Sequence, residues 1–413
     1  MNQLTEYRRE FHKYPENGWR EFRTSARVAE ILTGMGYDVA MGPDVIEPGS
    51  VGEPERLSEE QIRQEMERAV RQGADPAFVE RTQGWPGVMA VLDTGREGPV
   101  SAMRFEMDCL PYDEPQRPGY RPCDEGYLSC NPQSVHACGH DGHTAIGLGI
   151  AAELMKRKGE LKGKIKLFFQ PAEETTGGAR AICETGVFAQ YRTRAIFGLH
   201  LWPDLPAGVL ASMPGGMMCR SSEVTLSVTG QSAHVARASL GRDALEAAAR
   251  WYLAALDQER QLPPGEPRLL KFGRFQAGTV RNALAGSARL EGTLRAFRDP
   301  VFDRLRNTLE TLAEEIAADS GCSLNLTFSE GYPAVWNPPE LLAQVEALWP
   351  LTRMDRPVLI TEDFSWYQRY LPGLFFFLGC GPAPALHSPG FQFDEGVLSR
   401  GVDLFARIAE EFV

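Results

Sequence analysis

No stretch of this chain approaches the roughly 20 consecutive apolar residues that a bilayer-spanning helix needs. The longest apolar run, around residues 374–378, is far shorter. The first ten residues are polar and lack the apolar core of a secretory leader, so export is not expected. Cysteine is sparse, with eight in 413 residues and no Cys-x-x-Cys pair. That argues against a disulfide scaffold or a finger-like structural zinc site and suits a reducing cytoplasm. Cations are in deficit: 43 Lys and Arg face 55 Asp and Glu, for a formal net charge of −12. Nucleic-acid affinity rests on neutralising phosphates with Lys and Arg, so no such partner is expected.

Histidine is also scarce, at seven residues, but its placement is uneven. His136, Cys138, His140 and His143 fall within the run Ser134-Val-His-Ala-Cys-Gly-His-Asp-Gly-His143, and Gln170-Pro-Ala-Glu-Glu174 follows about thirty residues later. One thiol among several imidazoles and carboxylates suits zinc, manganese or a neighbouring first-row ion better than calcium or magnesium. Catalytic metal sites leave a position for water, whose pKa the ion lowers toward neutrality, so the pattern points to a hydrolase. Two other readings stand beside it. Cys138 alone would pack as a small buried hydrophobe, although Gly139 beside it permits the sharp turn a ligand loop needs. A Cys138, His140, Asp141 nucleophilic site gains nothing from adjacency, because triads assemble from distant segments.

The remaining candidates lie at the ends of strand-like segments. Residues 164–169 precede Glu173 and Glu174, residues 195–200 end on His200, and residues 101–106 precede Asp108. Residues 373–378 read as a buried strand, and His387 follows in a Gly/Pro-rich loop. Open α/β sheets bind ligands at the carboxyl ends of their strands. Asp108 is placed to orient a histidine ligand from behind.

At this length a single core stops growing, so two domains are expected. Alternating strand and helix signals over residues 1–214 and 333–413 predict an α/β layered domain. Residues 215–332 change pattern: strand 223–228, helix 243–257, strands 269–276 and 288–297, helix 300–318 and strand 323–328 make a βαββαβ, ferredoxin-like insert. A polar insertion near residues 43–83 carries a capping box at Ser58-Glu-Glu-Gln61. Ile62, Met66, Ala69 and Val70 then mark one helix face for packing on the main domain.

Taken together, the motifs resemble the co-catalytic metallohydrolase superfamily of acetylornithine deacetylases, succinyl-diaminopimelate desuccinylases and aminoacylases, within it the hippurate and indoleacetyl-amino-acid hydrolase branch. The markers are Phe11-His-Lys-Tyr-Pro-Glu16, Arg104-Phe-Glu-Met-Asp-Cys-Leu-Pro111, His136-Ala-Cys-Gly-His-Asp-Gly-His-Thr144, Phe169-Gln-Pro-Ala-Glu-Glu174, Ser232-Ala-His234, Thr361-Glu-Asp-Phe364 and His387. The resemblance implies two divalent ions, zinc or manganese, held by Cys138, His140, Glu174, His200 and His387, with Glu173 as general base and Asp108 behind the ions. It implies that the insert is a lid and dimerisation domain, in which His234, helped by Asn282, meets the oxyanion and Arg295 holds a substrate carboxylate, with Arg281 as competitor. The implied substrates are N-acyl amino acids or aminobenzoyl-glutamate-like conjugates, and the implied assembly is a homodimer. The 43–83 insertion resembles that of a member of this branch that works with a second chain. This brings in a second protein chain as partner and, as another reading, a partner-dependent or non-catalytic role. N-acetyl-amino-acid or diaminopimelate deacetylation and dipeptide hydrolysis share the same chemistry. Glu106 stands where the branch more often shows aspartate.

Overall fold

The computed structural model describes residues 2–53, 55–175, 177–190 and 192–412. The chain divides into two compact units: residues 1–215, 336–355 and 366–413 form the first, and residues 216–335 and 356–365 the second. No helix among the described residues is long and apolar enough to cross a membrane.

The first unit is built on an eight-stranded mixed sheet. Its strands lie in the order Asp38–Met41, Val88–Asp93, Lys164–Gln170, Val100–Glu106, Ala195–Pro206, Gly373–Gly381, Leu210–Ser212, Thr352–Arg353. The four from Lys164–Gln170 to Gly373–Gly381 run parallel. They are nearly continuous in buried residues, as expected of a sheet covered on both faces. Helices Gln3–Lys13, His140–Lys156 and Leu398–Phe412 pack together, and Phe11, Ile146, Leu148, Leu404 and Phe405 share one core with the sheet residues Phe105, Phe169 and Phe197. Because the central strands are parallel, their carboxyl ends open on one edge, where the candidate residues emerge.

Helix His140–Lys156 begins directly after Gly139, so His140 and His143 occupy its first turn, three residues apart on one face. One expectation shifts. The strand expected to end at His200 runs to Pro206, because it keeps pairing with Gly373–Gly381 and Trp202 stacks on Phe377 at 4.4 Å. Its other neighbour stops pairing at Gly198, so His200 still stands at the open edge on that side.

The 43–83 insertion forms helix Glu59–Arg71, with both halves of its capping box made, and the short helix Pro76–Arg81. Ala69, Ala74 and Val79 bury themselves against Phe22 and Ala26, with Ile62 and Met66 alongside. Arg68 reaches from the insertion to the buried Glu16 carboxylate at 2.6 Å.

The second unit carries strand Arg220–Thr229, helix Ala244–Gln261, strands Arg268–Ala277 and Ser287–Ala296, helix Asp299–Ser320 and strand Ser323–Phe328. The strands form one antiparallel sheet in the order fourth, first, third, second, the ferredoxin-like arrangement. Trp251, Phe302, Leu290 and Leu294 centre its core. Residues 356–365 belong to this unit: Val358 N–H donates to Met217 O at 3.0 Å, and Cys219 N–H to Ile360 O at 3.0 Å.

Candidate metal centre

Gly139 turns the chain into the helix His140–Lys156 with a left-handed φ of 90°, and a Cβ there would stand 3.0 Å from Leu201 Cδ1. Glycine at this position lets Cys138 and His140 face the same edge. The strand end after Gln170 supplies Glu173 and Glu174. Ala172 between them and the strand holds a left-handed φ of 55°, a conformation that costs a non-glycine residue energy. The buried Glu21 carboxylate accepts the Ala172 N–H at 2.7 Å and fixes that turn. Burial, with the Asp108 charge adding to it, pushes the Glu21 carboxyl well above its usual range. His387 also has a left-handed φ, 63°, and its N–H donates to Ala137 O at 2.8 Å, which ties its loop to the Cys138 segment.

These segments bring seven expected residues of the first unit together. Cys138 Sγ lies 3.3 Å from His200 Nε2 and 3.5 Å from His387 Nε2, and Glu174 Oε1 lies 3.4 Å from His387 Nε2. Cys138, His140 and His200 form one potential ligand set, Cys138, Glu174 and His387 another, with ligand atoms in each within 4.8 Å of one another. The thiol is common to both. Glu173 makes a third such set with His140 and Glu174.

Two of the imidazoles are held through Nδ1. His140 Nδ1 lies 3.0 Å from Asp108 Oδ1, and His200 Nδ1 lies 2.6 Å from Leu201 O. Both acceptors assign the proton to Nδ1 and leave the Nε2 lone pair facing the thiol side. His140 Nε2 and Glu174 Oε1 are buried without a hydrogen-bond partner. Buried polar atoms are normally paired, so two orphans amid a thiol, imidazoles and carboxylates fit a divalent first-row cation.

The buried groups shift one another's proton affinities, and a bound cation would displace the protons held on the thiol and His140. Burial, then the Glu174 and Glu173 charges, push the Cys138 thiol well above its usual value. Burial would lower the His140 pKa, but the hydrogen bond to Asp108 and the surrounding carboxylates outweigh it and raise it to about 10. Burial opposes ionisation of Glu174, yet His387 and His140 hold it down to about 2. Burial and the neighbouring His143 lower His200 to about 3, keeping it neutral.

Two groups stand behind the candidate ligands, and sequence pattern alone assigns no role to Arg104, Arg8 or His12 in them. Arg104 pairs with Glu106, whose other oxygen lies 3.0 Å from His143 Nδ1, and His143 Nε2 accepts the Leu201 N–H at 2.9 Å, next to His200. Arginine and glutamate alternating inside an otherwise apolar strand were the available signal, since charges there are buried only when paired. The second group is centred on Asp141, which follows His140: Arg8 Nε and His12 Nδ1 both lie 2.8 Å from its Oδ2, and His12 Nε2 lies 2.7 Å from Glu114. His136 is buried, with neither ring nitrogen hydrogen-bonded.

The other three expected residues lie in the second unit. His234 and Asn282 adjoin: His234 bridges Ala283, and Val235 N–H donates to Asn282 O at 3.2 Å. Both side chains are exposed. Arg295 stands at the far end of strand Ser287–Ala296, half-buried, with Nη1 donating to Leu359 O at 2.5 Å.

Residues 102–411 match Peptidase family M20/M25/M40. The chain is 35% identical to one of the chains of p-aminobenzoyl-glutamate hydrolase from Escherichia coli strain K12, over 99% of this chain and 95% of that one. It is also 35% identical to indole-3-acetyl-aspartic acid hydrolase of Enterobacter agglomerans, over 100% and 96%. Among solved structures, a dinuclear metal-binding peptidase of family M20 from Bacillus subtilis superposes with a TM-score of 0.77 at 27% identity, covering 99% of this chain and 96% of that one. With matches of this extent the chain belongs to Peptidase family M20/M25/M40 and is a hydrolase of that family.

Proposed function

We propose that the protein hydrolyses the amide bond of N-acyl amino acids or aminobenzoyl-glutamate-like conjugates, using two divalent ions, zinc or manganese, that Cys138, His140, Glu174, His200 and His387 would hold. The observation that carries this reading is the thiol common to two ligand sets, Cys138 with His140 and His200, and Cys138 with Glu174 and His387. Bound ions would polarise the scissile carbonyl and make water acidic enough to lose a proton near neutral pH. Glu173 takes that proton as the water oxygen attacks the acyl carbon, and returns it to the amine nitrogen as the carbon–nitrogen bond breaks. Asp108 keeps the His140 proton on Nδ1. His234 and Asn282 donate to the oxygen that gains charge, and Arg295 takes a substrate carboxylate.

The last two assignments call for a second copy of the chain. Ser287, at the His234 and Asn282 end of its strand, and Arg295 are eight residues apart, roughly 26 Å of extended backbone. A small conjugate does not bridge that span, so one protomer supplies the oxyanion donors and its partner the arginine. The outer edge strand Arg268–Ala277 is exposed over most of its length, and Leu253 and Phe275 lie exposed on the same unit. Long exposed edges with apolar neighbours favour pairing. A cytoplasmic setting is proposed because all eight cysteines are unpaired and Cys138 must stay reduced to bind metal.

The test is amine release from a panel of N-acyl amino acids including aminobenzoyl-glutamate, with protein reloaded with manganese or zinc and a chelated control. Metal-dependent release is expected. Absence of release from protein shown to hold metal would favour a chain that needs a different partner chain, a reading supported by the Escherichia coli relative, which is named as one component of its hydrolase.

A further inference from the structure

One end of the second unit carries positive charge that nothing nearby neutralises. Arg220, Arg250, Arg268, Arg274, Arg289 and Arg306 each pair with an aspartate or glutamate. Among the described residues Arg237, Arg281, Arg242 and Arg304 are exposed and have no carboxylate within ion-pairing distance. Of these four, Arg237 and Arg281 flank the His234 and Asn282 junction. Arg237 N–H donates to His234 O at 2.7 Å, and Arg237 kinks the turn Val235–Leu240 with φ −130°. Leu284 N–H donates to Ala233 O at 2.8 Å and, with the His234–Ala283 bridge, fixes the segment that begins at Arg281. Val235, Leu240 and Val280 are exposed beside them, at 48%, 64% and 59%. Apolar side chains and unpaired cations left together in water mark a recognition surface more than a packed one.

We propose that Arg237 and Arg281 form a subsite for a second substrate carboxylate, so that the enzyme selects N-acyl conjugates of aspartate or glutamate over those of their amides. The inference rests on the hydrolase reading above, with His234 and Asn282 at the scissile carbonyl. The side-chain carboxylate of an acidic leaving group lies only a few bonds from that carbonyl, within reach of arginines that adjoin the two donors. A guanidinium binds carboxylate through two parallel hydrogen bonds that an uncharged amide does not reproduce. The chain's net charge of −12 repels a dicarboxylate at long range, so its capture requires local cations of this kind. Both relatives compared above are named for conjugates of an acidic amino acid, glutamate and aspartate.

The test compares kcat/KM on matched pairs, N-acyl-glutamate against N-acyl-glutamine and N-acyl-aspartate against N-acyl-asparagine, using metal-loaded wild type and the variants R237Q, R281Q, the double variant and R306Q. Wild type is expected to favour the acidic member of each pair, more so at low ionic strength. Each single substitution is expected to cut that preference by roughly tenfold, the effect of losing one charge-assisted hydrogen bond. R306Q, which removes an arginine already paired with Glu310 on helix Asp299–Ser320, should leave the ratio as it is. An active wild type with no acid preference, or a double variant that keeps the preference, would overturn the subsite. A wild type that hydrolyses none of the four conjugates would overturn the hydrolase reading itself.

Discussion

Asp108 is shared by His140 and Glu174: one carboxylate oxygen lies 3.0 Å from His140 Nδ1, and the other accepts the Glu174 N–H at 2.8 Å. One buried side chain thus sets the direction of two proposed ligands. Asp108→Asn keeps the shape but replaces a carboxylate acceptor with an amide that also donates, which weakens the preference for the Nδ1–H tautomer and leaves only the Asp108 main-chain carbonyl, 3.1 Å from Nδ1, to hold it. Metal affinity is expected to fall about 10–100-fold, the usual cost of losing such a partner. Competitive titration against a chromophoric chelator measures it, and unchanged affinity would take Asp108 out of this role.

Glu173 belongs to a different category from Glu174. Its carboxylate lies with His140 and Glu174 within 4.8 Å but shares no set with the Cys138 thiol. Glu173→Gln is expected to keep both ions, by elemental analysis, while kcat drops about 10²–10⁴-fold, the range for a general base. Turnover near wild type would move the base elsewhere.

Sequence pattern reached the site through local signals: a dense histidine run, carboxylates after a buried strand, and a glycine where a turn was needed. Those are near-neighbour features, and period, propensity and strand ends express them well. The supports behind the ligands were harder to see. Arg8 and Asp141 are separated by 133 positions, and nothing in the helix pattern of residues 3–13 tells that Arg8 is fully buried on Asp141 and not in water. His12 was visible only as a letter in a motif. The extended strand at His200 escaped for the same reason, since its length is set by a partner strand more than 170 residues away.

The separation of Asn282, which precedes strand Ser287–Ala296, from Arg295 near its far end makes a prediction about stoichiometry. His234→Ala and Glu173→Gln should each inactivate their own dimers. Mixed and allowed to exchange protomers, they should recover activity, because one site of each mixed dimer then combines an intact Glu173 with an intact His234. Random pairing in a two-fold dimer gives about a quarter of the wild-type sites. Size-exclusion chromatography with light scattering confirms the dimer, and no recovery in an exchanging mixture would place His234 at the site of its own protomer.

Arg8, His12 and Asp141 bury charge directly behind the ligand helix, with Arg8 and Asp141 both at 0% exposure. Burial opposes each ionised form, but Arg8 and His12 hold the Asp141 carboxyl below its usual range, while Asp141 and Glu114 raise His12 against burial and the Arg8 charge. The signs give stability that is greatest between the ordinary aspartate and histidine pKa values and is lost toward both ends of the pH scale. The Asp141 contribution is present above the ordinary aspartate pKa and is lost as pH falls toward its depressed folded value. The His12 contribution is present below the ordinary histidine pKa and is lost as pH rises through its raised folded value. Arg8→Met leaves the carboxylate buried without its guanidinium and is expected to cost about 3–5 kcal/mol. It should also shrink the acid-side loss, because an Asp141 without Arg8 titrates closer to its unfolded value. Urea unfolding of the metal-free protein across that pH range reads both effects, and an unchanged midpoint in Arg8→Met would mean that the network orients the helix without stabilising it.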